Sequence, residues 1–504
     1  MPSIPFVADL PILAVDIGTG SVRAILFDAS GGVLAETRSP TRTLHPRPGW
    51  AEQDPDEIVD AVAGVMRAAI AEAVQFGGIA AVSFSSQMYS VLATTPAGLP
   101  LTMSIPWSDT RAAQDAEHIR TGRDARRLIG VTGCPAQPVY PLAKIRWLRA
   151  NVPLPEDALF ISIKDYVLWR LTGVLTADRS TASASGMLDI SAGEWSELAL
   201  NIAGLTPANV PSLDSPRALI HCGPSSLLRD IGLPAVTPVV LGAGDAPLSS
   251  VGCGAVAPEV LAMNIGTSAA ARRMIREPRA DPAGRLWTYI VDLDYWVTGG
   301  IIGSAGSAYD WALDMVLGGV TEDPYGRAEA LLGSVGPGSD GLTFVPYLSG
   351  EQSPSWRPSA RGAFVGIGLR HERGHLLRAV VEGLVFALQR VRLAIEDTGT
   401  GSLEEVAVTG GLCRSAATLH IIADVLGLPV VVPPGHEGSA RGAAILARLA
   451  LGALPDLETA GRLALADRPR ILPSGEAHAI YRHRFEEFVG LADRLTVEKR
   501  GDAS

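Results

Sequence analysis

The chain has 504 residues, 47% of them hydrophobic, enough for two or three domains with a buried core in each, which excludes a disordered protein. A formal charge of −11 and a pI near 5.4 leave no basic surface of the size a nucleic acid or an anionic membrane needs, so an anionic ligand must be met by locally placed Lys or Arg. Cys134, Cys222, Cys253 and Cys413 lie far apart without a C-x-x-C, which fits buried thiols in a reducing compartment. With no basic leader in the first ten residues and no apolar run long enough to cross a bilayer, a soluble, cytoplasmic protein is expected.

In chain order, the first element is the apolar strand Leu13-Ala-Val-Asp-Ile17, which enters the turn Gly18-Thr-Gly20 and continues as Ser21-Val-Arg-Ala-Ile-Leu-Phe-Asp28. Ser30-Gly-Gly32 and Val33-Leu34-Ala35 follow, so the pattern is a β-hairpin with a Gly-rich turn and not strand, loop, helix. That excludes a Walker loop, and G-x-x-x-x-G-K-[ST] occurs nowhere. Gly18 and Gly20 allow the backbone to approach a phosphate, Thr19 offers a hydroxyl, and Asp16 can hold a hydrated Mg²⁺. Apolar residues Ile58, Val59, Val62, Val65, Met66 and Ile70 predict a helix over 56–76, and 79–84 reads as a strand, giving an α/β layer. After a Pro-rich stretch at about 202–237 come the strand 236–241 and the loop Gly242-Ala-Gly-Asp-Ala-Pro247, with a domain boundary expected near residue 253.

The second half repeats this order. Leu261-Ala-Met-Asn-Ile-Gly-Thr-Ser268 copies the first strand and turn, and strands are expected near 287–297. A helix from about Ser304, the strand 342–346, a long helix from about His375 to Glu396 and the strand 405–409 come next. Gly410-Gly411 then opens a helix, and 428–432 is a short strand. One such turn alone would be an ordinary tight hairpin; two copies in matching strand contexts point to a duplicated domain that faces a nucleotide. The expectation is two βα-rich lobes, 1–253 and 254–504, with a cleft between them.

The segments Val15-Asp-Ile-Gly-Thr-Gly-Ser-Val-Arg23, Pro48-Gly-Trp-Ala-Glu-Gln-Asp-Pro55, Trp107-Ser-Asp-Thr-Arg111, Gly242-Ala-Gly-Asp245, Asn264-Ile-Gly-Thr267 and Gly410-Gly-Leu-Cys-Arg-Ser415 resemble, in this order and over nearly the whole chain, the FGGY family of carbohydrate kinases. The resemblance implies two duplicated actin-like (ribonuclease-H-like) α/β domains with a central cleft. Sugar would sit mainly on the N-terminal domain and ATP mainly on the C-terminal one, with Mg²⁺ as the metal cofactor. The partner is then a small sugar or sugar acid, and a homodimer is compatible with it. Within the family, the stretches 132–147, 160–169 and 180–186 look most like the gluconate kinases, with xylulose kinases next. Tyr89 and Gln137 stand where His is common, and Gln352 where Arg is usual, and these departures bear on the substrate.

Phosphoryl transfer requires positioning, charge neutralisation and a base for the attacking hydroxyl. Asp245 matches the family's catalytic Asp, follows an apolar strand in a small-residue turn, and with Asp16 forms the candidate metal pair; its alternative is a local cap. Thr19, Gly20 and Arg23 on the first turn and Gly266 and Thr267 on the second are the candidate phosphate contacts, Arg23 having a hairpin salt bridge as its alternative. Gly410, Gly411, Arg414 and Ser415 at a helix start are candidates for adenosine and phosphate, as are Gly303 and Ser307 in a small-residue segment that could equally serve helix packing. On the sugar side the candidates are Gln87, Met88, Tyr89, Trp107, Asp109 and Asp245, with Lys164 placed to face a carboxylate unless it merely snorkels.

His371-Glu-Arg-Gly-His375 fits H-E-x-x-H, with Glu396 as a conceivable third zinc ligand, so a metalloprotease is a rival. Against it, Gly374 weakens the helix that must present both His, and the segment precedes the expected helix. Gly336-Pro-Gly-Ser-Asp-Gly341 fits G-x-G-x-x-G but precedes a strand, which reads as a plain turn. An actin-like regulatory ATPase is the third class, and it has no need of a polyol-lined wall.

Overall fold

The computed structural model describes residues 10–222, 226–292, 294–319, 322–435 and 437–496. It divides into two compact units: Met1–Val256 with Ile275–Val297 and Glu437–Leu463, and Ala257–Met274 with Thr298–His436 and Ala464–Ser504. The chain thus returns twice to the first unit after its main break at Val256, a long-range arrangement that no local pattern announces.

The main sheet of the first unit is formed by β1 (Ile12–Ile17), β2 (Ser21–Phe27), β3 (Val33–Pro40), β4 (Ala81–Ser86), β5 (Leu219–Ile220) and β6 (Val239–Gly244), in the order β5-β6-β4-β1-β2-β3. The β1/β2 hairpin is antiparallel, while β1, β4 and β6 run parallel. β1 and β4 are buried on both faces, as expected of strands covered by helices on either side. One cover is the helix Pro55–Ala73, which starts where Asp54 accepts the Asp56 and Glu57 N–H groups and Pro55 supplies its first turn. Its stripe Ile58, Val59, Val62, Val65, Met66 and Ala69 is buried in the core, each large side chain contributing about 1.5–3 kcal/mol. The helices Asp245–Gly252 and Gly438–Ala450 meet backbone to backbone, since a Cβ on Gly252 would lie 1.8 Å from the Gly438 carbonyl oxygen and one on Gly442 2.1 Å from that of Leu248.

The second unit repeats the core. β7 (Val260–Ile265) pairs antiparallel with β8 (Ala269–Ile275) and parallel with β10 (Glu405–Thr409), as β1 does with β2 and β4. With β9 (Tyr295–Ile302), β11 (Val430–Val431) and β12 (Arg470–Ile471), the order is β9-β8-β7-β10-β11-β12, and the strand Trp287–Asp292 adds a seventh at the edge beside β9. The expected long helix is present as Arg373–Asp397. One local expectation is corrected: Gly242–Pro247 is not a loop but the end of β6 and the first turn of Asp245–Gly252, where Pro247 is tolerated because first-turn N–H groups have no intrahelical partner. A second concerns thiols, since Cys222 is exposed while the other three cysteines are buried, and all four are free.

Candidate active site

In the first unit three parallel strands end in one row. Ile17 of β1 lies opposite Ser86 of β4, and Ser86 opposite Gly244 of β6. The residues that follow, Gly18-Thr19-Gly20, Gln87-Met88-Tyr89 and Asp245, therefore leave side by side at the carboxyl edge of the sheet, where open α/β sheets bind ligands. Two glycines allow the close approach. Gly242 has φ +74, and a Cβ there would lie 1.9 Å from the Phe84 carbonyl oxygen, while one on Gly244 would lie 2.8 Å from Met88 Cγ. Asp245 opens its helix, where the dipole favours a carboxylate.

Thr19 sits at the centre of a hydrogen-bonded ring. Its hydroxyl donates to Gln87 Oε1 (2.8 Å) and accepts from Trp107 Nε1 (2.9 Å). Gln87 Nε2 donates to Gln53 Oε1 (2.9 Å), and Gln53 Nε2 donates back to the Thr19 carbonyl (2.9 Å). Trp107 remains 50% exposed, so its ring is not core and presents an apolar face beside these amides. The structure thus joins Thr19, placed by sequence with the phosphates, to Gln87 and Trp107, placed with the sugar.

Asp109 is corrected from a sugar contact to a brace. It is 1% exposed; its oxygens accept the Ala51 N–H (2.6 Å) and the Arg111 guanidinium (2.8 Å), which also holds Glu52 (2.9 Å) and lies 3.8 Å over the Trp50 ring. Asp16 and Arg23 are cross-strand partners joined by an ion pair of 2.6 Å, and Arg23 also bonds Glu437. Burial works against the guanidinium charge, but Asp16 and then Glu437 outweigh it and hold the Arg23 pKa above its ordinary value. The other Asp16 oxygen faces Ser439 Oγ at 3.3 Å.

Lys164 is also corrected. It lies in the capped helix Ile163–Thr172, is 0% exposed, and is paired with Asp178, which in turn caps Thr181 through its N–H at 2.7 Å. An ammonium so enclosed cannot face a substrate carboxylate. Lys164→Met is therefore expected to strand a buried carboxylate and cost roughly 3–5 kcal/mol in urea unfolding, with no change in the ranking of sugars. A stable variant with altered sugar preference would contradict this.

The buried cation that does reach the wall is Lys144, which sequence reading missed because it resembles any helical Lys. Its Nζ donates to the carbonyls of Tyr89 (2.9 Å) and Pro106 (2.8 Å), tying together the loops that carry Gln87 and Trp107. Burial pulls its pKa down to about 7, opposed by Asp109 and aided by Arg111. An unfolded Lys titrates near 10.4, so between about pH 7 and pH 10 the unfolded chain binds the extra proton and Lys144 makes stability rise with pH, by at most ~1.4 kcal/mol per pH unit. The stability difference between wild type and Lys144→Met should then grow from pH 7 to pH 9 in urea titrations; a shrinking difference would refute the assignment.

In the second unit the turn after β7 and the segment after β10 likewise emerge together, Asn264 lying opposite Thr409. They open on a cavity of about 690 Å³ lined by Gly266, Thr267, Gly306, Tyr309, Asp310, Tyr325, Glu329, Gly411, Arg414 and Ser415, among others. Ser415 caps the helix Ala416–Leu426 through the Thr418 N–H (3.0 Å) and donates to Glu329 (2.6 Å), which also accepts the Ala417 N–H (2.7 Å). Tyr309 in the same lining has its phenol pushed up to about 12, by burial and then Glu329. The Thr267 carbonyl accepts from Ala305 N–H (3.0 Å), Ser307 N–H (3.2 Å) and Ser307 Oγ (3.1 Å), so Ser307 holds the turn in place. Gly303 packs near Ser349 Oγ (a Cβ would be 3.2 Å away), outside the lining. Asp16, Thr19, Gly20 and Arg23 belong to the first unit and do not line this cavity.

The H-E-x-x-H reading fails on geometry. The helix starts at Arg373, so His371 and Glu372 precede it, and His375 Nδ1 is used in accepting the Glu372 N–H (3.1 Å). Glu396 lies 21 residues beyond His375 on that one helix, about 30 Å away at 1.5 Å per residue. Among the described residues no group of three or more His, Cys, Asp or Glu could hold a metal ion. None of the described helices is long and apolar enough to cross a membrane.

Comparison with known proteins agrees with this geometry. Residues 11–252 match the FGGY family of carbohydrate kinases, N-terminal domain, and residues 261–451 its C-terminal domain. The chain is similar to the gluconokinase of Bacillus licheniformis, 34% identical with 97% of this chain and 96% of the relative covered. It is 27% identical to the xylulose kinase of Lactococcus lactis, covering 89% of each. Among solved structures it is similar to gluconate kinase from Lactobacillus acidophilus, with TM-score 0.91 and 28% identity over 97% of this chain and 98% of that one. With both domain families matched in order and a relative above 30% identity along nearly its full length, the chain belongs to the FGGY family of carbohydrate kinases, phosphotransferases built on two actin-like domains.

Proposed function

We propose that the chain transfers the γ-phosphoryl group of ATP to a hydroxyl of gluconate, forming 6-phosphogluconate. The observation that carries this reading is the 34% identity to a gluconokinase along 97% of the chain. Asp245, at the edge where β4 and β6 end together, takes the proton of the acceptor hydroxyl as it attacks phosphorus. Tyr89 and Trp107 contact the polyol, the phenol bonding a hydroxyl and the half-exposed indole covering the C–H face, while Gln87 and Met88, each 2% exposed, are corrected from sugar contacts to supports of that wall, the Gln87 amide being bonded at both ends to Thr19 and Gln53. Gly266, Thr267, Gly411, Arg414 and Ser415 hold ATP in the lined cavity, with Arg414 balancing phosphate charge.

The donor set fits Mg²⁺. Two carboxylates, Asp16 on β1 and Asp245 just beyond β6, stand at the same edge of the sheet on either side of β4 without a closed protein cage, as expected for an ion that keeps waters and phosphate oxygens as ligands. When bound it neutralises charge on the β- and γ-phosphates. Arg23 and Ser439 orient the Asp16 carboxylate.

A neutral ketopentose such as xylulose is the second reading. What favours it is that Arg23, Arg111 and Lys144, the cations named at the sugar wall, are already bonded to carboxylates or carbonyls. The test is a coupled ADP-release assay over aldonates, ketoses and polyols. Highest kcat/KM on gluconate supports the first reading, preference for a ketopentose replaces it with the second, and ADP release independent of any sugar points to a regulatory ATPase.

A further inference from the structure

We propose that Tyr289, which lies beyond the main chain break in sequence, is a positioning residue that sets sugar preference by holding the hydroxyl of Tyr89. This rests on the reading of the wall around Gln87 as the sugar site. The segment 275–297 clusters with the first unit, and there Tyr289 Oη lies 3.1 Å from Tyr89 Oη and 2.8 Å from Tyr140 Oη. These three rings and Trp287 pack edge to face or stack: Tyr89 with Tyr140 at 5.5 Å, Tyr89 with Tyr289 at 6.2 Å, and Tyr289 with Trp287 at 4.4 Å between centroids. The backbone around Tyr289 is pinned, since Thr288 N–H donates to the Gly133 carbonyl (2.9 Å) and Ile290 N–H to Ser183 Oγ (3.0 Å). Gly133 has φ +65, and a Cβ there would lie 2.6 Å from the Thr288 carbonyl oxygen, so this docking is built into the fold.

Tyr89 is held at its other end as well. It has φ +68, a conformation rare for a side chain of this size, and Lys144 takes its carbonyl. Strain of this kind next to Gln87 points to a side chain that must stand in one place. Tyr140 and Tyr289 are fully buried, which keeps both phenols protonated. With one proton on each of three oxygens in a row, a bond donated by Tyr289 to Tyr89 leaves the Tyr89 proton for an acceptor outside the row. Tyr89 is half-buried and is the member of the row that belongs to the sugar wall, so Tyr289 decides whether Tyr89 meets the sugar as donor or acceptor.

The experiment compares wild type with Tyr289→Phe, which keeps the ring on Trp287 and removes the bridging oxygen. It measures kcat/KM for gluconate, xylulose and glycerol, KM for ATP, and Tm. We expect KM for the preferred sugar to rise at least ~10-fold and the ranking of the three sugars to shift, with ATP KM nearly unchanged and Tm lowered slightly because the buried Tyr140 hydroxyl loses its partner. Unchanged sugar constants, or equal losses on all sugars together with a large fall in Tm, overturn the proposal. A cycle with Tyr89→Phe reads the coupling: the double variant should be no worse than Tyr89→Phe alone, and additive losses reject it. If Tyr289→Phe does not fold, Tyr89→Phe must shift the ranking by itself, and an unchanged ranking overturns the proposal. Whichever sugar is turned over supplies the reading, so failure of gluconate as substrate would refute the proposed function and leave this test intact.

Discussion

Asp245→Asn should lower kcat by at least ~10²-fold and leave ATP affinity almost unaltered, because the amide cannot accept the proton of the attacking hydroxyl. The structure sharpens this expectation. Asp245 is the first residue of its helix, so the amide keeps the backbone and steric fit while losing basicity and charge. It belongs to the first unit, and the cavity assigned to ATP is lined by residues of the second. Pre-steady-state kinetics with gluconate, together with calorimetric titration of ATP, separate the two quantities. Near-normal turnover would remove Asp245 from the base role, and parallel loss of ATP binding would assign it to the nucleotide.

The second large effect separates two adjacent glycines. Gly410 has φ +103, and a Cβ there would lie 2.3 Å from the Ile265 carbonyl oxygen, so Gly410→Ala sets strain against the β7 strand end and should destabilise by roughly 3 kcal/mol or more. At Gly411 a Cβ meets nothing within 4 Å, and the residue lines the cavity. Gly411→Val should therefore fold normally and fill ligand space, raising KM for ATP by ~10-fold or more while sugar binding without nucleotide is unchanged. Thermal unfolding and ATP kinetics on both variants give the check. If Gly411→Val unfolds while Gly410→Ala is tolerated, the assignment of backbone fit to one and ligand space to the other is reversed.

Much of the candidate site was legible because its signals are local. A strand that ends in small residues and turns back within three positions is written in the immediate neighbours, and both copies, at Ile17–Ser21 and Ile265–Ala269, have that form in the structure. The helices Pro55–Ala73 and Arg373–Asp397 follow equally from the period of their apolar residues. Placing Asp245 at the end of a strand needed only its small neighbours, although the helix it opens was mistaken for a loop because Gly and Pro there suggested a turn.

What composition and spacing alone determined was the class of molecule: an acidic, globular, duplicated α/β chain with a tight small-residue turn after a strand in each half. Only the tertiary structure decided which charges are spent on the fold. Lys164 and Lys144 look alike as helical lysines, yet one is consumed by Asp178 and the other ties the loops of Tyr89 and Pro106 together. Arg23 finds Glu437, and Tyr89 finds Tyr289, because segments 437–463 and 275–297 return to the first unit. The physical reason is range. Helix and strand preferences arise from residues a few positions apart, whereas the partner of a buried charge or hydroxyl is whichever group the packed topology brings within about 3 Å, however far away it lies in the chain.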